Sequence, residues 1–154
     1  MRSIAHHGAD ANVSISRRTL GPNGSEGRPE FSQGIAVTGN QTLLFIAGQV
    51  AVNADGQVVD GSFAPQAERV FGNLLTLLEE GGATFEDVVS FTTYLTSEAD
   101  IANFVSFRRQ AFPGMFPNGS YPTNTLVVVR ALARPEFLIE VSAMAAMPVG
   151  SEAP

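Results

Sequence analysis

The chain has 154 residues, one domain's worth, with a formal net charge of -6, nine basic residues that are all arginine, and no cysteine. Without cysteine there are no disulfides, thiolate nucleophiles or cysteine-held metals, which fits a reducing compartment, and without lysine there is no Schiff-base chemistry. The only adjacent arginines are Arg17 with Arg18 and Arg108 with Arg109, the only histidines are His6 and His7, and no apolar run is long enough to cross a bilayer; the expectation is a soluble cytoplasmic protein with no nucleic-acid or membrane partner and no metal.

Residues 1–12 are small and polar and read as a flexible tail, which leaves His6 and His7 in solvated chain. Residues 13–16 (VSIS) alternate and open a first strand, and residues 21–29 form a turn-rich loop. Residues 35–38 (IAVT) and 42–48 (TLLFIAG) read as two strands joined by a Gly-Asn turn into a hairpin. Residues 53–56 (NADG) make another tight turn. A helix starts at Pro65, gathers Ala67, Val70, Phe71, Leu74, Leu75, Leu77 and Leu78 on one broad face, and stops at Gly81 and Gly82. Thr84 and Asp87 suit a capping pair around one extra turn.

Residues 88–96 (VVSFTTYLT) are β-branched and aromatic and form a strand. A second helix runs from about Glu98 to Phe112, with Ile101, Phe104, Val105, Phe107 and Ala111 as its apolar set, and Pro113 with Gly114 ends it. Residues 125–131 form an apolar strand, 134–136 turn the chain, 137–145 form the last strand, and 148–154 are a second tail. The order ββ, α, β, α, ββ predicts an α+β domain over residues 13–147, one mixed sheet with two helices packed on one face. Yet Val127 and Val129 face one side of their strand while Leu126 and Val128 face the other. A sheet covered by helices on one face only should not be apolar on both, so the second face is expected to be buried by further copies of the chain.

The acid–base inventory is short: carboxylates, Tyr94, Tyr121 and arginine. Glu140 interrupts an apolar strand (LIEVSA), where a carboxylate either faces water, pairs between subunits, or is held as a general base that orients a water. Asn124 and Thr125 stand where a Gly/Asn/Pro-rich loop enters a strand, a place for ligand contacts or for plain turn chemistry. Gly48 removes bulk from a strand, as needed where a backbone or ligand comes close. Arg108 lies among apolar positions of the second helix and reads either as a surface arginine or as a guanidinium fork for a carboxylate.

Several segments together resemble the Rid (YjgF) family: residues 31–37 (FSQGIAV), 43–53 (LLFIAGQVAVN), 66–82, and 122–129 (PTNTLVVV) followed by Leu132, Pro135 and residues 139–143 (IEVSA). The resemblance covers residues 28–147. It implies a chorismate-mutase-like fold and a homotrimer with an internal barrel of sheets and three clefts between protomers. It also implies hydrolysis of reactive enamines and imines such as 2-aminoacrylate to a 2-keto acid and ammonia, with no cofactor. By the same resemblance Glu140 places the attacking water, and Phe31, Gly48 and Tyr121 line the substrate site. Phe31 lacks the hydroxyl of the usual tyrosine, and the position of the family's carboxylate-binding arginine holds Asn124, with Arg108 as a candidate replacement. An asparagine offers one neutral amide where arginine offers a charged, bidentate fork. The implied ligand is thus a small carboxylate or imine, and the implied activity is an enamine/imine deaminase whose substrate departs from 2-aminoacrylate. The competing reading is a non-catalytic binding protein for small carboxylate or carbonyl metabolites.

Overall fold

A computed structural model describes residues 15–20, 31–59 and 61–150. The expected tail at 1–12, His6, His7, the loop at 21–29 and, from residue 151 on, the expected tail at 148–154 lie outside these residues; Pro148 ends the last strand. Strand β1 spans Ser16–Leu20, β2 Gly34–Thr38 and β3 Gln41–Gln49. Helix α1 spans Phe63–Glu80, strand β4 Val88–Leu95, helix α2 Asp100–Met115, strand β5 Thr123–Val128 and strand β6 Ile139–Pro148.

Four strands form the expected mixed sheet in the order β3-β6-β4-β5. Strand β6 runs antiparallel to both neighbours, and β4 pairs parallel to β5 across the α2 connection. Strands β1 and β2 form a separate antiparallel ribbon. The expected hairpin of β2 with β3 is therefore corrected: β2 pairs with β1 and β3 with β6, so the turn at Gly39 passes the chain from one sheet to the other. Arg17 on β1 ties the ribbon down. Its guanidinium donates to the Glu86 carbonyl at 2.9 Å, to the Asp87 carboxylate at 2.8 Å and to the Ala146 carbonyl.

Helix α1 buries Phe63, Ala67, Val70, Phe71, Leu74 and Leu78, one stripe at helical spacing, against the sheet. Facing it are Phe91 and Leu95 of β4 and Ile139, Val141, Ala143 and Ala145 of β6, the alternate residues of each strand. The Phe71 ring lies 5.1–6.4 Å from those of Phe85, Phe91, Phe104, Phe107 and Phe112, which makes it the hub of an aromatic core. Helix α1 stops as its sequence predicts. The amides of Gly82 and Ala83 donate back to the carbonyls of Glu79 and Leu78 at 3.0 and 2.8 Å, and Gly82 takes the left-handed turn at φ 74°. One turn later the Asp87 carboxylate accepts from the Thr84 amide and hydroxyl, the expected capping pair.

Helix α2 overruns its predicted end, passing through Pro113 to Met115. A proline this close to the C-terminus removes only one backbone hydrogen bond, and Phe112 and Phe116 both bury on the core side of the overrun. Their burial outweighs the loss.

Candidate functional site

The six residues singled out in the sequence fall into two groups on opposite faces of the main sheet. The first group is Gly48 and Glu140. Glu140 follows Ile139 and precedes Val141, both wholly buried toward the helices, so alternation turns its side chain to the open face. It is half-buried there and stands opposite Tyr94 of β4. Its other neighbour is a defect in β3. The pairing of β3 with β6 slips by one residue between Ile46 and Gln49, a bulge at Ala47 and Gly48. Gly48 lies so close to Glu140 that a Cβ there would sit 1.9 Å from its Oε1. The close approach that a strand glycine announces is thus to this carboxylate.

The second group surrounds the start of β5. Ser32 is buried and donates its amide to the Pro122 carbonyl at 3.0 Å and its hydroxyl to the Tyr121 carbonyl. These bonds fix the segment that carries Phe31 beside Tyr121. The Tyr121 ring packs 5.9 and 5.8 Å from those of Phe112 and Phe116. Asn124 pairs with Phe91 of β4, and its Oδ1 accepts a hydrogen bond from the Thr93 hydroxyl at 2.9 Å. Thr93 belongs to the helix-facing row of β4, so Asn124 points to that face as well. Arg108 of α2 is 6% exposed, with its guanidinium carbon 4.7 Å from the Phe104 ring centroid and 6.0 Å from that of Phe31. The surface-arginine reading of Arg108 is corrected: it sits behind Phe31.

Within one chain β4 separates the two groups, so Glu140 and Asn124 do not meet. An open groove of about 390 Å³ between α1 and α2 contains none of the six. Thr93 and Ser32 escaped the sequence reading. Thr93 left a signal, being the polar member of the apolar row Phe91, Thr93, Leu95; Ser32 left none. Among the described residues no cluster of three or more metal-ligating side chains occurs, and no helix is long and apolar enough to cross a membrane.

The family model described as endoribonuclease L-PSP matches residues 25–147. A RutC family protein of Pyrococcus abyssi is 35% identical over 116 residues, 75% of this chain and 84% of that protein. The crystal structure of the Rid-family protein YyfB from Yersinia pestis superposes with a TM-score of 0.71 at 35% identity, covering 85% of this chain and 98% of that one. The YjgF gene product of Escherichia coli superposes with a TM-score of 0.59 at 28% identity, covering 67% of this chain and 79% of that one.

Proposed function

The chain belongs to the Rid (YjgF) family, and from that premise we propose that it is a cofactor-independent enamine/imine hydrolase, a deaminase whose substrate differs from 2-aminoacrylate. The observation that carries this reading is the Glu140 carboxylate seated in the notch that Gly48 leaves in β3. A carboxylate held on an open sheet face can accept a proton from water as that water adds to an imine carbon. Glu140 returns that proton to the nitrogen, and the carbinolamine expels ammonia and leaves the carbonyl product, so atoms and charge balance without a metal or redox partner.

The reading also needs the second group. Phe31, Tyr121 and Asn124 supply an aromatic wall and an amide, on the face of the sheet that Glu140 does not occupy. Both groups can line one cleft if the Glu140 side of one copy meets the Asn124 side of the next. Exposed apolar residues on the open face support such contacts: Leu43 is 45% exposed and Phe45 67%. We infer a homotrimer with three such clefts, working in the cytoplasm. Arg108 backs Phe31 and holds the ring that closes the cleft. RNA cleavage, which the family model's description names, finds no support in a chain of net charge -6 without a basic stripe.

Release of ammonia and carbonyl product from 2-aminoacrylate, from bulkier imino acids generated in situ by an amino-acid oxidase, and from the imine of an α-keto amide tests the proposal. Turnover above background that disappears in Glu140→Gln, with an unchanged melting temperature, is the expected result. Turnover that survives Glu140→Gln removes Glu140 from the chemistry. The neutral amide at Asn124 favours one alternative, a non-catalytic binding protein for small carboxylate or carbonyl metabolites; silence across the whole imine panel, with binding of a keto compound, would establish it.

A further inference from the structure

Asn124 is oriented by a residue that otherwise belongs to the core. Thr93 is 0% exposed, between Phe91 and Leu95 on the helix-facing side of β4. A buried hydroxyl is costly unless it is hydrogen-bonded, and Thr93 meets that need by donating to Oδ1 of Asn124 at 2.9 Å. The acceptor end of the Asn124 amide is therefore engaged from inside the domain. Its Nδ2 end points away from Thr93, and among the described residues nothing accepts its hydrogens. Asn124 itself is only half-buried, which leaves the donor end open to a ligand in the proposed cleft.

This arrangement selects for charge. A carboxylate placed against Asn124 would give up water and receive one neutral donor in return, whereas anions are held well by charged or multiple donors. The arginine of this group does not supply the missing fork by contact, because Arg108 as a residue is 6% exposed and its guanidinium carbon is set against the rings of Phe104 and Phe31. A neutral carbonyl oxygen loses far less on leaving water and is matched by one amide donor.

We propose that Asn124, locked by Thr93, receives a neutral carbonyl oxygen, so that the substrates are imines or enamines of α-keto amides or related neutral carbonyl compounds rather than of α-keto acids. The inference rests on the hydrolase reading for its reaction and on the Thr93–Asn124 pair for its specificity.

Pyruvamide and pyruvate are nearly the same shape and differ in this charge, and calorimetric titration of each into the wild-type protein measures the preference. Pyruvamide is expected to bind about tenfold tighter or more, the equivalent of one neutral-to-charged mismatch. Asn124→Ala should erase that ratio. Thr93→Val keeps the side chain's shape but releases Oδ1, and should reduce the ratio severalfold while the melting temperature holds. Equal or tighter binding of pyruvate, or a ratio unmoved in Asn124→Ala, overturns the inference; binding of neither compound also overturns it, by removing Asn124 from a ligand site. The hydrolase reading fails separately. An amide preference with no turnover of any imine sinks the reaction and keeps the specificity, while Glu140-dependent turnover of imino acids without an amide preference does the reverse.

Discussion

At position 48 a methyl group would have to share space with the Glu140 carboxylate, at 1.9 Å from Oε1 and 2.8 Å from Cγ. The backbone of β3 is fixed there by its bulge, so the glutamate must swing aside. Gly48→Ala is therefore expected to destabilise the fold by only about 1–3 kcal/mol, the usual cost of overpacking, yet to lower imine turnover as far as Glu140→Gln does. Thermal melts and ammonia release measure the two effects. The double variant should be no worse than either single one, because both changes remove the same carboxylate from the same place; additive losses would mean that Gly48 acts independently of Glu140. At this scale the sequence was informative where a residue broke its local pattern. Glu140 interrupts an apolar strand, and Gly48 leaves a gap in another, so both could be picked out by eye. That the gap belongs to the carboxylate could not, because it depends on the pairing register of β3 with β6 and on a one-residue bulge in it. Arg108 misled for a related reason: arginine in a helix usually faces water, and only the tertiary structure places it behind Phe31.

Among the elements, α1 was largely legible, since its apolar stripe and glycine stop, like the Thr84–Asp87 cap of the turn that follows, are local devices, although the helix starts at Phe63 rather than Pro65 and leaves Leu75 exposed. The strands of the ribbon were not, because two short strands beside a turn carry no record of which partner each will take. Some joints between elements rest on single polar side chains of α1 that helical periodicity passes over. Gln66 is 2% exposed and acts as a clasp. Its Nε2 donates to the Glu136 carbonyl at 2.8 Å, and its Oε1 accepts from the Leu138 amide at 2.9 Å. These bonds hold the turn that leads into β6, and hence the position of Glu140 two residues on. Asn73 does the same for the segment after β3, donating to the carbonyls of Val50 and Val52 at 3.0 and 3.1 Å. Gln66→Leu leaves a part-buried amide and a carbonyl without partners and is expected to cost about 1–3 kcal/mol, read as a lower urea midpoint with an unchanged slope. Phe71→Ala, at the centre of the ring cluster, should cost more, about 3–5 kcal/mol by the same measurement. If Gln66→Leu matched or exceeded it, the clasp rather than the aromatic core would dominate this interface.

For the whole molecule, the decisive property is that one chain carries its two groups of candidate residues on opposite faces of the main sheet. Apolar residues on both sides of β5 raise the expectation of an oligomer from the sequence, but nothing in the sequence reveals that Asn124 and Glu140 lie on opposite faces. The proposed trimer turns that division into a measurable consequence. In a cyclic assembly every cleft joins the Glu140 side of one copy to the Asn124 side of its neighbour. Glu140→Gln spoils one half of each cleft and Asn124→Ala the other, so each variant alone is expected to be impaired at every site, Glu140→Gln by loss of the base and Asn124→Ala by loss of the ligand contact. When the two are unfolded together and refolded as a mixture, random assembly gives roughly a quarter of clefts with both native halves. Turnover should then recover to about that fraction of wild type, while each variant refolded alone stays at its own level. Phe45→Glu, which places a charge on the open face where Phe45 is 67% exposed, should shift the assembly toward monomers in sedimentation and abolish the recovery. Failure of the mixture to exceed its two components would place both half-sites to work within a single chain, or leave one of them without a role, and the divided cleft would have to be abandoned.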